Sequence, residues 1–525
     1  MRLVFYIFAA LVLVYASVCG VYWHEGLWAL VILGPLVVVG LHDAWQVRRA
    51  VLRNFPLIGH GRYLLEMIRP EINQYFIESD TDGRPFGRDV RSVVYQRAKG
   101  ALDTTPFGTQ RDVYEVGYEW IAHSLTARLS HGEAPRVLIG GGACAQPYEA
   151  SLLNISAMSY GALSKAAIEA LSHGARTGGF AHNTGEGGIS PYHQAGGADL
   201  IWQVGTGYFG CRDDRGRFDR KLFQQRARLE QVKMIELKLS QGAKPGHGGI
   251  LPAAKLTEEI SEIRAVPMGQ DVLSPPAHSA FSTPLEMLDF IEELRELSGG
   301  KPVGIKLCVG SRSEFVAICK AMAETGKHPD FICVDGSEGG TGAAPLEFSN
   351  SIGMPLREAL AFVHSALTGY RLREKVRIIA AGKIITGFHI AKALALGADL
   401  CYSARGMMLA LGCIQARRCH ANECPVGVAT QRPWLVAGLA VKDKTERVAR
   451  YHGATLASFQ EILGAAGLSH PEELEPRHIM RRTSETEVKS YAEIFDFIEP
   501  GSLLWDPVPE SFEEDCARSR SDSFV

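Results

Sequence analysis

Three cysteines fall within twelve residues of the stretch LGCIQARRCHANECPVG: Cys413, Cys419 and Cys424, the last followed by proline. The spacing is C-x5-C-x4-C-P. A closed structural zinc site wants four ligands, for which His420 would be the fourth. A four-iron cluster usually takes four thiolates, so three without a fourth suit a three-iron cluster. Spacing alone leaves cluster, zinc and plain structural thiols open.

A second chemistry comes from lysines and glycines. Lys306 lies inside the apolar run VGIKLC, and Lys238 inside IELKLSQGAKPG. A lysine so placed must face a solvated mouth or find an anionic partner. It is either a salt-bridged core cation or a charge set beside a bound anion, such as the reduced ring of a flavin. Small-residue clusters then follow the later strands: DGSEGGTGAAP (335–345), AGKIITG (381–387) and SARG (403–406). Only glycine lets the main chain approach an anion closely, and N–H groups near a helix start suit phosphate. Three such clusters at the same end of consecutive strands favour a phosphate site over ordinary tight turns.

The elements that must position these residues alternate. Candidate strands are LLNIS (152–156), GFAH (179–182), MIELKLS (234–240), DVLS (271–274), VGIKLC (303–308), FICVDG (331–336), RIIAAG (377–382) and DLCYSA (399–404). Amphipathic helices such as SKAAIEALSHGAR and GFHIAKALALG separate them. Alternation predicts a parallel sheet, and eight units over about 270 residues predict an α/β fold of the (β/α)8 TIM-barrel type. A ninth run, IWQVG (201–205), is assigned to an insertion. A doubly wound open sheet is the competing fold, but no dinucleotide-type glycine fingerprint opens the first unit.

The N-terminus is of another kind. LVFYIFAALVLVYASVC (3–19) and LWALVILGPLVVVGL (27–41) are apolar runs joined by a short turn. They read as a transmembrane hairpin over residues 1–45, with a cleaved signal peptide as the alternative. Arg2, Arg48, Arg49 and Arg53 flank the pair while the turn carries no Lys or Arg. The charge asymmetry places the catalytic region on the cytoplasmic face of the membrane. Residues 46–134 read as a helical neck, 135–470 as the barrel with its cysteine loop at 413–424, and 471–525 as a polar, irregular C-terminal extension. Eleven cysteines scattered through 525 residues fit a reducing compartment. A formal charge of −3 gives no case for nucleic acid.

The segment LGCIQARRCHANECPVGVATQ closely resembles the iron–sulfur loop of glutamate synthases. So do ISAMSYGALSKAAIEAL (155–171), HNTGEGG (182–188), KLSQGAKPGHGGILP (238–252), SPPAH (274–278) and EGGTGAAP (338–345), in the family's order over roughly residues 150–435. The resemblance implies an FMN-binding synthase barrel with a 3Fe–4S cluster on Cys413, Cys419 and Cys424. It implies reductive amination of 2-oxoglutarate with ammonia, through 2-iminoglutarate, to L-glutamate. Ser156, Ala157, Met158 and Ser159 would contact the flavin ring, with Gln203 and Lys306 at its side. Gly340, Thr341, Gly382, Ser403 and Arg405 would surround its phosphate. Glu186 would handle ammonia or imine, and Lys238, Gln241 and Lys244 would meet the keto-acid carboxylates.

The chain also departs from the family pattern. His247 replaces an acid, Ser279 and Ala280 replace a His and an Asp, and CVGSRSE follows Lys306 unusually. Trp202 and Tyr208 stand where basic residues are common. These changes sit on the substrate side, which keeps open an FMN and iron–sulfur enzyme acting on another amine or imine. A membrane-anchored electron-transfer subunit is a further reading, though it would not require Glu186, Lys238 and Gln241. With no amidotransferase or dinucleotide-binding segment in the sequence, ammonia is expected from solution or a separate subunit. Electrons are expected from a carrier such as ferredoxin.

Overall fold

Eight short buried runs form the strands of a closed parallel barrel: β1 (Leu153–Ile155), β2 (His182–Asn183), β3 (Leu200–Val204), β4 (Val232–Lys238), β5 (Val303–Leu307), β6 (Phe331–Asp335), β7 (Arg377–Ala381) and β8 (Leu400–Ser403). Each strand pairs with its successor in sequence, and β8 returns to β1, Ser403 standing opposite Ile155. Across the β4–β5 seam Lys238 stands opposite Lys306. These contacts come from a computed structural model that describes residues 1–129, 134–142 and 144–524.

The helices between strands start where the sequence supplies caps. Ser164 accepts the N–H of Ala167 ahead of helix Lys165–Gly178, and Thr283 and Thr386 do the same for helices Pro284–Leu297 and Gly387–Ala395. A side-chain oxygen there satisfies an N–H that the first turn leaves unpaired. The helices cover the outside of the barrel, which leaves the loops after the strands to form its mouth.

Two strand assignments differ from the sequence expectation. IWQVG is not an insertion but β3, buried along its whole length. DVLS supplies no barrel strand. Its Val272–Leu273 pairs antiparallel with Ile250–Leu251 inside the long loop after β4. Parallel barrel strands are covered on both faces and therefore read as continuous apolar runs. IWQVG has that character, whereas Leu273 is 63% exposed.

The chain divides into two compact units, Met1–Arg88 and Asp89–Val525. In the first, helix Arg2–Tyr22, a 3-10 turn His24–Ala29 and helix Leu30–Trp45 make a hairpin, with the Tyr15 hydroxyl donating to Gly26 O at 2.9 Å. Segments Arg2–Tyr22 and His24–Trp45 are long and apolar enough to cross a bilayer. Leu3, Leu13, Ile32 and Val38 point outward, each about two-thirds exposed or more. Helices Ala50–Asn54 and Gly59–Ile72 follow.

In the second unit, the chain after helix Arg88–Lys99 is extended and leads to strand Glu119–Ile121, which pairs with Ile479–Arg482. Glu119 accepts from Lys392 Nζ and Arg481 Nη1 at 2.7 Å each and from the Tyr491 hydroxyl at 2.9 Å, with Arg357 also paired. Beyond residue 470 the chain is more ordered than its composition suggests. Helix Glu510–Arg518 packs on helix Arg312–Thr325, held by Arg312 Nε–Asp515 Oδ2 at 2.8 Å and Lys320 Nζ–Cys516 O at 2.6 Å.

Candidate functional site

The mouth of the barrel holds a pocket that opens to solvent. Its floor is made by residues at the ends of strands and its walls by the loops that follow them. Glu186, after β2, faces Lys238, the last residue of β4, with Glu186 Oε2 and Lys238 Nζ 3.1 Å apart. Glycines make room for the carboxylate: a Cβ at Gly249 would lie 2.0 Å from Glu186 Oε1, and one at Gly205 2.8 Å from Glu186 Cβ.

The loop after β4 carries the next two groups. Leu239 N–H donates to Lys306 O at 2.8 Å, and Gly242 N–H to Asp335 Oδ2 at 3.0 Å. A Cβ on Gly242 would sit 1.7 Å from Gly336 O, so the close approach requires glycine. Thus anchored, the loop brings Gln241 and Lys244 into the pocket, with Lys244 Nζ donating to Ala343 O at 2.8 Å. Opposite lie Gly340 and Thr341, whose carbonyl accepts from Arg405 Nη2 at 2.6 Å.

Electrostatics set the protonation states. Burial alone would raise the Glu186 carboxyl, but Lys238, Lys244 and Arg264 outweigh it and hold the group below the usual carboxylate range. Burial pulls Lys244 down to about 8, with Glu186 opposing, and Arg264 down to about 10, again with Glu186 opposing. At neutral pH the pocket is therefore one carboxylate among several cations.

The structure gathers Ala157, Ser159, Glu186, Gln203, Lys238, Gln241, Lys244, Gly340, Thr341, Arg405 and Cys419 around this pocket. Others expected there stand behind its wall. Lys306 pairs with Asp335 at 3.3 Å, a partnership that raises it above the ordinary lysine range although burial works the other way. Ser403 donates its hydroxyl to Ile384 O, and Ser156 N–H donates to Ser403 O. Met158 is buried, with its carbonyl bonded to His193, and Gly382 borders a neighbouring cavity of helix and loop residues.

Arg264 and Lys255 also line the pocket, and no local sequence pattern marks them. Arg264 ends helix Glu258–Arg264, where a basic last turn is ordinary, and Lys255 ends the 3-10 turn Ala253–Lys255. Both are buried: Arg264 Nη2 donates to Tyr160 O at 3.1 Å and Lys255 Nζ to Ala162 O at 2.7 Å. Arg264 Nε has no partner among the described residues. A guanidinium at the edge of the pocket is the kind of cation that attracts a carboxylate ligand.

The departures from the family pattern form a supporting layer. Buried His278 lies between Lys238 O, 2.8 Å from Nε2, and the Tyr208 hydroxyl, 3.0 Å from Nδ1. The Ala280 N–H donates to the same hydroxyl at 3.2 Å. Trp202 stacks on Phe223 with ring centroids 5.0 Å apart, and His247 packs edge-on against Phe348.

The cysteine loop follows β8 and helix Arg405–Ala410. Asn422, with φ of 60°, donates to Ala254 O at 2.7 Å, and Gln431 donates to Leu163 O at 2.9 Å. These bonds tie the loop to the pocket wall, where Cys419 and His420 are lining residues. Burial pushes the Cys413 thiol up, and Cys419 and Cys424 lie close enough to push the same way. All three are free thiols. Among the described residues no three His, Cys, Asp or Glu side chains are gathered at metal-ligand spacing.

Tested against the groups the resemblance implies, the pocket suits FMN. It has a glycine edge at Gly340–Gly342 beside the Arg405 cation, and the Gln203 amide on its wall. The thiols suit an iron cluster by donor chemistry and number, within one loop that borders the same pocket.

A family model described as a conserved region in glutamate synthase matches residues 139–469. A glutamate synthase large subunit-like protein of Bacillus subtilis is 40% identical over 494 residues, covering 86% of this chain and 94% of the relative. An archaeal glutamate synthase [NADPH] of Methanocaldococcus jannaschii is 36% identical over 321 residues, 61% of this chain and 60% of that protein's length. Among solved structures, a flavocytochrome b2 variant with pyruvate bound has a TM-score of 0.42 at 15% identity, covering 82% of this chain and 87% of its own. With the family region spanning more than half of its length, and a relative 40% identical matched almost end to end, this chain belongs to the glutamate synthase family.

Proposed function

We propose that the chain is an FMN-dependent oxidoreductase that aminates 2-oxoglutarate to L-glutamate, fed with electrons through a 3Fe–4S cluster on Cys413, Cys419 and Cys424. The observation that carries this reading is the pocket's charge pattern: Glu186, held ionised, among Lys238, Lys244, Lys255 and Arg264. A dicarboxylate needs cations, and an amination needs a base.

In the overall reaction ammonia adds to the keto carbon and water leaves, giving 2-iminoglutarate. A hydride and a proton then convert the C=N bond to the C–H and N–H of glutamate, and the donor supplies two electrons. Arg264 and Lys244 bind the carboxylates, one as a planar fork and the other as a point charge. Glu186 orients ammonium, takes its proton as it becomes the attacking amine, and returns a proton later. Lys238 holds the Glu186 carboxylate in place and keeps it ionised. Gln203, Ala157, Ser159, Gly340, Thr341 and Arg405 would hold FMN. When bound, FMN would supply the hydride and the cluster would pass it single electrons.

The electron donor would be a carrier such as ferredoxin, and ammonia would come from solution or a separate amidotransferase subunit. The apolar hairpin would anchor the catalytic unit at the cytoplasmic face of the membrane. One observation favours a second reading, a different keto acid or imine: His247, which stands where the family has an acid, lies in the same loop after β4 as Gln241 and Lys244 and packs against Phe348. The test is anaerobic flavin reduction followed by mixing with a panel of keto acids and ammonium. Fastest reoxidation by 2-oxoglutarate supports the first reading, and reoxidation by another member of the panel alone supports the second.

A further inference from the structure

Glu236 lies within β4, fully buried, two residues before Lys238. Its Oε1 accepts two amide N–H bonds, from Asn183 Nδ2 at 2.8 Å and from Gln203 Nε2 at 2.6 Å. Its Oε2 has no partner among the described residues. Lys306, the neighbouring cation, is already matched by Asp335 at 3.3 Å. Burial raises the Glu236 carboxyl above its usual range, with Lys306 opposing. A neutral carboxyl whose oxygen takes two amide donors is consistent with all of this.

The consequence falls on Gln203, which lines the pocket. A glutamine amide is nearly symmetric in shape, so its two ends exchange unless one is engaged. Here the NH₂ end is drawn into the barrel by Glu236, and the main chain is held as well, Gln203 N–H donating to Thr184 Oγ1 at 3.2 Å. No bond within the chain reaches Gln203 Oε1 among the described residues, so the carbonyl remains to serve the pocket.

We propose that Glu236 is the positioning residue that fixes this amide, so that a ring bound in the pocket meets an acceptor and must offer an N–H. The imide N3–H of a flavin has that chemistry. The inference rests on the FMN reading above and adds to it what sets the wall's hydrogen-bond sense.

The test uses the full chain, stripped of flavin and reloaded with FMN or with N3-methyl-FMN, which lacks the donor. Affinity is read by flavin fluorescence. Wild-type protein should prefer FMN about tenfold, the worth of one hydrogen bond of ordinary strength. Glu236→Gln should keep the preference, because its side-chain oxygen can accept the same two bonds. Glu236→Leu should lose it. Preference retained in Glu236→Leu overturns the inference, as does preference lost as fully in Glu236→Gln as in Glu236→Leu. If Glu236→Leu fails to fold, Glu236→Gln decides alone: preference kept supports the inference, and preference lost overturns it. Wild-type protein that binds neither flavin would overturn the FMN reading itself, and this inference with it.

Discussion

Glu186 Oε2 and Lys238 Nζ lie 3.1 Å apart at the mouth of the barrel, joining the ends of β2 and β4 through one ion pair. Glu186 is the only carboxylate among the described residues lining the pocket. Its replacement therefore separates binding from chemistry. Glu186→Gln should retain FMN, as judged by the flavin spectrum, and lose ammonia-dependent turnover by about 100-fold or more, the scale of a general base. Turnover within a fewfold of wild type would remove Glu186 from the reaction.

Cys419 borders the pocket, and its neighbours in the loop supply the other thiols. Cys419→Ser should strip the iron absorption and the iron content while FMN stays bound, since no expected flavin contact lies in that loop. Unchanged iron per chain, measured by metal analysis, would show that the thiols do not hold a cluster.

Lys244 is pulled down by burial to about 8, within the range of an ordinary assay. It binds its anion as a cation and loses that charge as pH rises through 8. The KM for the keto acid should therefore climb between pH 7 and 9 with little change in kcat. Lys244→Met should start with a high KM and show a flatter profile. A wild-type KM that does not vary over this range would contradict the assignment.

Histidines that are buried or half-buried set an acid limit to stability. Burial holds His193, His278, His364 and His452 at about 4 and His389 at about 3, against an ordinary 6.5. A depressed folded-state value means that the unfolded chain binds protons first as pH falls below 6.5. Stability is fully present above that point and is lost toward pH 4, on the order of 3 kcal/mol per histidine if the shift is fully expressed. Thermal melts should therefore show a steep decline from pH 6.5 to 4. A flat curve would mean that these rings are solvated in the folded protein.

Much of the barrel could be read from alternation of strand and helix, and the pocket's acid and two of its lysines from local motifs. The mistakes have physical causes. IWQVG was set aside because a short apolar run looks alike in an insertion and in a barrel strand, and only closure of β3 between β2 and β4 distinguishes them. Arg264 was overlooked because its burial depends on a long loop folding back over the mouth, which no local pattern encodes. Lys306, expected at the flavin's side, is paired with Asp335 on the adjacent strand, a partner that no local pattern names. Pairings across strands are set by register, and register is a tertiary property.

The most direct measurement combines chemically reduced, oxygen-free protein with 2-oxoglutarate and ¹⁵N-ammonium and follows the products by mass spectrometry. The account predicts ¹⁵N-labelled L-glutamate in an amount matching the flavin reoxidised, and none from Glu186→Gln. Reduced flavin that stays reduced in the presence of both substrates, with no labelled amino acid formed, would contradict it.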